Sequence, residues 1–70
     1  MYGTVARTVW ARAGCYEGYD AFQRIPEGGQ VRFLPSERRF DKYNRECTLV
    51  EYNDGKVSVI GWILFSDLAP

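Results

Sequence analysis

The stretch "CTLVEYNDGKVSVIGWI", residues 47–63, decides the fold. Two runs rich in β-branched and aromatic residues flank Asp54-Gly55, and an Asp-Gly pair between such runs is a strong signal for a β-hairpin. The pattern therefore predicts a strand over residues 47–52 and a return strand over residues 56–63.

The apolar character of the return strand continues to Phe65. A run of this length is far shorter than the roughly 20 residues that a membrane-spanning helix needs, so we interpret it as a buried strand. Val57 and Val59 are expected to point together into the core. Gly61 is expected to let the strand bend where the sheet closes. A tight turn is expected over residues 65–68.

Shorter strand signals lie upstream of the hairpin. Residues 2–13 resemble one first strand, and a long ordered loop then ends in a short strand near Phe22. Pro26 and two glycines predict a turn over residues 26–29, which a strand over residues 30–34 follows. The polar segment 35–46 is expected to be a loop with one helical turn at most.

The chain has 70 residues, which is the size of one small domain covering residues 1–70. About five short strands with tight turns and no substantial helix predict an all-β fold, a small barrel of antiparallel strands. Its 16% aromatic content is enough for a compact aromatic core. Phe22, Phe33 and Phe65 are expected in that core.

The composition excludes several kinds of chemistry. The chain has no histidine, which removes His-based catalysis and His metal ligation. Cys15 and Cys47 are too few for a tetrahedral zinc site, and no metal, cofactor or catalytic residue is predicted. We expect two free thiols in a reducing compartment, with one disulfide left open as the alternative. Nine basic residues balance nine acidic ones, which argues against a broad nucleic-acid surface.

No basic segment followed by an apolar one occurs at the N-terminus, so no signal peptide is predicted. A cytoplasmic location without membrane association is the expectation. Export is expected only if the chain is a fragment of a longer protein.

Three segments, residues 9–14, 19–34 and 61–68, together resemble bacterial SH3 domains. "VWARAG", residues 9–14, is similar to the opening strand of that family, with Trp10 where the family usually has Asn. "YDAFQRIPEGGQVRFL", residues 19–34, resembles the next block, and "GWILFSDL", residues 61–68, resembles the closing Gly-Trp block. The resemblance implies an SH3-like barrel in which two long loops and the Gly-Trp strand flank a ligand groove.

Aromatic and basic residues cluster in the segments that would border this groove. Tyrosine and tryptophan offer an apolar body with a polar tip, and a neighbouring arginine can bind a carboxylate or phosphate in bidentate fashion. The predicted ligand-binding residues are Tyr16, Tyr19, Arg38, Arg39, Phe40, Tyr43 and Trp62. In the charged segment itself, acidic neighbours favour a solvated loop with local ion pairs over a nucleic-acid platform.

Three functions follow as hypotheses. The first is a non-catalytic module that binds a partner protein, a short peptide or a cell-wall peptide. The second is a Tudor-like barrel that binds nucleic acid or a methylated cation. The third is a small phage or mobile-element protein that docks on a host protein. A monomer or a weak homo-oligomer is expected in each case.

Overall fold

The computed structural model describes residues 1–15 and 20–70. Within those residues the protein is all-β, and seven antiparallel strands form one sheet that ends in a single 3₁₀ turn. The strands are β1 (Tyr2–Thr4), β2 (Val9–Arg12), β3 (Ala21–Ile25), β4 (Gln30–Phe33), β5 (Arg39–Phe40), β6 (Glu46–Asn53) and β7 (Ser58–Leu64), and the 3₁₀ turn spans Phe65–Asp67. Their order in the sheet is β1-β4-β6-β7-β2-β3, with β5 paired to β6.

The β6–β7 hairpin predicted from the Asp-Gly signal is confirmed, and its strands pair from Cys47 opposite Leu64 to Asn53 opposite Ser58. The Asp54 carboxylate accepts hydrogen bonds from the backbone N–H groups of Lys56 (2.8 Å) and Val57 (3.0 Å). Gly55 has a φ of 98°, a conformation that glycine adopts without a steric cost.

The turn occupies residues 54–57, so the return strand begins at Ser58 and not at residue 56. The prediction that Val57 points into the core is therefore wrong, since it belongs to the turn and is 57% exposed. Val59 has the predicted orientation, since it lies on the inner face of β7, and it is half-buried. Gly61 and Ile63 continue the same inner face and are buried.

The core lies on the concave face of the sheet. The cluster includes Val50 of β6 and Ile63 of β7, β2, β3 and β4 each add one residue, and Val5 follows β1. Because strands from both ends of the sheet share this cluster, the sheet must curl around it. The buried cluster comprises Val5, Ala11, Ile25, Val31, Val50 and Ile63.

Gly61 permits a close approach of strands at the centre of this core. A Cβ atom at this position would lie 2.8 Å from Cζ of Phe22 and 2.9 Å from Cβ of Ala11. Gly61 therefore provides space for packing of β2 and β3 against β7, which refines the predicted role as a bend.

The segment predicted as one first strand is two strands. After β1 the chain turns at Ala6, whose N–H donates to the carbonyl of Asp67 (2.8 Å), and Arg7 forms an ion pair with the same residue. Val5 bridges to Leu68. These contacts close the barrel, and β2 then pairs with β3 and β7 instead of continuing β1.

Three other expectations need correction. The charged segment contains no helical turn but a short strand, β5, because Arg39 and Phe40 pair with the start of β6. Phe33 packs against the core as predicted, whereas Phe22 (45% exposed) and Phe65 (54% exposed) do not lie within it. No helix in the described residues is long and apolar enough to span a membrane.

Candidate ligand groove

Trp62 points away from the core because its neighbours in β7, Gly61 and Ile63, point into it. It lies directly opposite Leu49 of β6 and Arg12 of β2. Residues in such register share one face of a sheet. A half-buried tryptophan therefore occupies the middle of the outer face.

A groove with a volume of about 410 Å³ runs over this part of the sheet. Its walls are formed by strand β2, the segment that follows it, the turn before β6 and strand β7. The described lining residues are Thr8, Val9, Trp10, Arg12, Gly14, Cys15, Asp41, Arg45, Cys47, Trp62, Ile63, Leu64 and Asp67.

Trp10 is the second tryptophan of the groove. It alternates with the buried Ala11, so its side chain is on the outer face, and it remains 48% exposed. Two large indole rings that are partly exposed on one surface are unusual for a domain of this size. Such residues are enriched where proteins bind their partners.

A disulfide between Cys15 and Cys47 forms one wall of the groove. The Cα atoms of the two residues are 5.8 Å apart, and the described chain has no free cysteine. The expectation of two free thiols is therefore wrong. The segment after β2 folds back over the sheet far enough for Cys15 to reach the start of β6, which is the condition that the alternative required.

One end of the groove is fixed by a compact turn around Asp41, which is only 7% exposed. Its Oδ1 accepts hydrogen bonds from the backbone N–H groups of Tyr43 (2.9 Å) and Arg45 (2.8 Å). Its Oδ2 accepts from Nε and Nη2 of Arg45, both at 2.6 Å. Asn44 completes the turn with a φ of 62°, a conformation that asparagine tolerates better than most residues.

The electrostatics of this turn follow from those contacts. Burial raises the pKa of the Asp41 carboxylate, but the hydrogen bonds from Arg45 and Tyr43 and the charge of Arg45 outweigh that effect. The pKa of Asp41 is consequently lowered from its ordinary value of 3.8. A carboxylate with both oxygens engaged holds the turn in place and has little capacity left for proton transfer.

A second arginine–carboxylate pair includes Asp67, which also lines the groove. Arg7 donates from Nη1 to Oδ1 of Asp67 and to the carbonyl oxygen of Ser66. The Arg7 side chain is 60% exposed, whereas that of Asp67 is only 16% exposed. The groove therefore combines two indole rings with the charged side chains of Arg12, Asp41, Arg45 and Asp67.

Of the residues predicted from the sequence to bind a ligand, Trp62 lies in this groove. Tyr16 and Tyr19 lie outside the described residues. Arg38, Arg39, Phe40 and Tyr43 are exposed on the neighbouring charged segment and do not line the groove.

The charged segment has the local ion pairs that the sequence predicts. Arg38 pairs with Glu46 (3.3 Å) and Arg39 with Glu37 (3.1 Å). Cationic side chains of the same segment also lie over its aromatic rings. Arg38 lies 5.5 Å from the centroid of Phe40, and Lys42 and Arg45 lie 5.2 and 5.0 Å from that of Tyr43.

Trp10 and Arg12 are groove residues that are not predicted from the sequence, and the disulfide is only the alternative there. The alternation of Val9, Trp10, Ala11 and Arg12 was a usable signal, since it places Trp10 and Arg12 together on one face of the strand. Nothing local indicates which face is the outer one, because that depends on how β2 packs against β7.

A larger recess, with a volume of about 590 Å³, lies between β1 and the last residues of the chain. Its described lining has no charged side chain and includes Tyr2, Phe33, Phe65 and Pro70. It lacks the ionic groups that would orient a ligand, which makes the tryptophan groove the stronger candidate. Among the described residues, no group of three acidic or cysteine side chains is placed to hold a metal ion.

Comparison of the sequence with models of known protein families finds no match, and comparisons with curated proteins and with solved structures find none either. The resemblance to bacterial SH3 domains stays a prediction.

Proposed function

We propose that this protein is a non-catalytic binding module that holds an extended segment of a partner protein or peptide in the groove between Trp10 and Trp62. The observation that carries the proposal is the pair of partly exposed tryptophans on the outer face of the sheet. Together with the disulfide and Leu64, they form an apolar surface in a groove that also contains the charged side chains of Arg12, Asp41, Arg45 and Asp67.

The groove has the properties that favour binding over catalysis. Its two indole rings would accept one or two aliphatic or aromatic side chains, because burial of such groups against indole rings supplies most of the energy of many interfaces. The charged side chains of its lining would set the direction of the ligand by hydrogen bonding. A short segment of a partner protein and a cell-wall peptide both fit this description.

The nucleic-acid and Tudor-like alternatives receive less support. Arg38, Arg39 and Arg45 each pair with a carboxylate, which reduces the positive potential available to a phosphate backbone. The rings of Phe40 and Tyr43 already contact cations of the same chain. Docking on a host protein, as a phage or mobile-element product would do, would use the same groove.

The compartment is part of the proposal. The disulfide supports an oxidising environment, because structural disulfides persist mainly in secreted, periplasmic or surface proteins. This counts against the cytoplasmic location expected from the sequence.

A selection experiment tests the function. The oxidised protein is immobilised and exposed to a displayed library of random peptides and, separately, to soluble peptidoglycan fragments. Binding of the enriched peptide or fragment is then measured by calorimetry against the wild type, Trp62→Ala and Ile60→Ala. Ile60 is the matched control, since it is an exposed apolar residue on the same face of β7 outside the groove.

We expect Trp62→Ala to weaken binding at least about tenfold and Ile60→Ala to have little effect. Weak dependence on salt is also expected. Equal loss in both variants, or no enrichment from either source, would contradict the proposal. A steep fall of binding with salt would instead favour the nucleic-acid alternative.

A further inference from the structure

The disulfide lies in the wall of the groove, so its redox state can affect the shape of the groove. Both of its cysteines line the groove, and Cys47 lies next to Leu64 on the groove floor. Cys47 is fixed in the sheet between β5 and β7, whereas Cys15 belongs to the segment that leaves β2. The bond thus ties a connecting segment onto the sheet at the edge of the proposed site.

We propose that this disulfide is a redox switch for the groove. In the oxidised protein the segment around Cys15 forms a wall that preorganises the groove, and reduction releases that wall and weakens ligand binding. The inference rests on the proposed function, because it concerns regulation of the same site.

The chemical step is a thiol–disulfide exchange with a dithiol. A thiolate of the dithiol attacks the sulfur of Cys15, which is half-buried, and Cys47, which is 6% exposed, departs as the leaving thiolate. The second thiol of the reductant then attacks the mixed disulfide. Two protein thiols and one cyclic disulfide result, and two electrons and two protons pass from the dithiol to the protein.

The structure indicates why the effect should be local. Strands β6 and β7 pair over seven residues without help from the disulfide, and the core cluster does not contain either cysteine. Near Cys15, the backbone N–H of Ala13 donates to the carbonyl of Asp20 (3.1 Å), so the base of the segment is held by hydrogen bonding. Reduction is therefore expected to free Gly14 and Cys15 from the groove while the sheet persists.

Loss of the wall would lower the affinity for the ligand because the groove would no longer be preorganised. A wall that is covalently fixed before binding costs no ordering entropy when the ligand arrives, whereas a released segment must be ordered at that moment. Reduction would also expose to solvent the side chain of Cys47 and the part of the groove beside Trp62.

The first test uses tryptophan fluorescence and needs no ligand. The chain has two tryptophans, so Trp10→Phe leaves Trp62 as the sole emitter. Quenching of Trp62 by acrylamide is measured in the oxidised protein and after treatment with dithiothreitol. We expect stronger quenching and a red-shifted emission after reduction. The same variant carrying Cys15→Ala and Cys47→Ala should match the reduced protein and should not respond to dithiothreitol.

The second test measures affinity for the peptide enriched from the displayed library on the oxidised wild type. Reduction should raise its Kd about tenfold or more. Unchanged quenching together with an unchanged Kd would overturn the switch while leaving the groove assignment intact. Binding that is insensitive to Trp62→Ala would instead overturn the proposed function, and the quenching experiment would still report on the wall.

Nuclear magnetic resonance spectra distinguish a local switch from general unfolding. We expect amide shifts on reduction to be confined to residues near Cys15 and Cys47, with the signals of β6 and β7 still dispersed. Loss of dispersion throughout the reduced protein would overturn the inference, because the disulfide would then hold the whole fold.

Discussion

Arg12 of β2 and Trp62 of β7 lie directly opposite each other in an antiparallel pair. Their side chains share the outer face of the sheet, since Ala11, Gly61 and Ile63 occupy the inner one. This relationship determines that Trp62 belongs to the surface groove. Adjacent residues of β7 therefore have different roles, since Trp62 lines the groove and Ile63 packs in the core. Their effects on stability and on binding can be measured separately.

Truncation of adjacent residues in β7 should separate stability from binding. Ile63 is 3% exposed within the core cluster, so Ile63→Ala should destabilise the protein by about 2–5 kcal/mol. Trp62→Ala should cost clearly less, because its ring is already partly in water. Urea denaturation of both variants provides the comparison. A larger loss for Trp62→Ala would place its ring in the core.

Gly61 should be intolerant of even a single added methyl group. The Cβ of Gly61→Ala would approach both Phe22 and Ala11 closer than real Cβ atoms do, so we expect a loss of about 1–3 kcal/mol from overpacking. Ile60→Ala, at an exposed position of the same strand, is the control and should change stability little. Equal melting temperatures for wild type and Gly61→Ala would show that β2 and β3 do not pack so tightly against β7.

Replacement of Asp41 should make the protein less sensitive to acid. The folded-state pKa of this carboxylate is lowered, so its contribution is fully present above the ordinary value of 3.8 and is lost as the pH falls through the lower folded-state value. Asp41→Asn loses the charge and one acceptor for Arg45, and it should be less stable than the wild type at neutral pH.

The difference in unfolding free energy between wild type and Asp41→Asn should narrow below about pH 4. The pKa of Asp54 is also lowered, by hydrogen bonds from the backbone N–H groups of Val57 and Lys56, but this contribution is common to both proteins and cancels. Asp20→Asn, at an exposed carboxylate, is the control. A difference that is constant from neutral pH to pH 3 would refute the assignment.

Tyr43 should be dispensable for folding. Its side chain is 62% exposed and interacts with Lys42 and Arg45 through its ring face. Exposed cation–π contacts contribute about 0.5–1 kcal/mol, so Tyr43→Ala should lower stability by no more than that. Thermal melts followed by circular dichroism provide the measurement, and a loss comparable with that of Ile63→Ala would show that Tyr43 is part of the core.

The sequence is informative wherever the determinant is local. The Asp54-Gly55 turn and the alternation of β7 predict the hairpin and the inner orientation of Val59, although not the place of Val57 in the turn. The interleaved charges of the segment before β6 predict its ion pairs. In each case the interacting residues are close in the chain or directly opposite across a hairpin.

Features that depend on distant contacts could not be predicted in this way. The break between β1 and β2 requires Arg7 and Ala6 to meet Asp67, some 60 positions away. The disulfide joins residues separated by 32 positions. The outward orientation of Trp10 follows only once the inner face of β2 is known. That face is identified by the packing of Ala11 against Gly61.

The most direct test of the central claim is to map the enriched peptide onto the oxidised protein by amide chemical-shift perturbation. We expect the largest shifts on β2, on residues 41–45 and on β7, and we expect the indole N–H signals of Trp10 and Trp62 to move with them. Shifts concentrated instead on Tyr2, Phe33 and Phe65 would place the ligand in the recess beside the chain termini. That result would contradict the assignment of the tryptophan groove as the binding site.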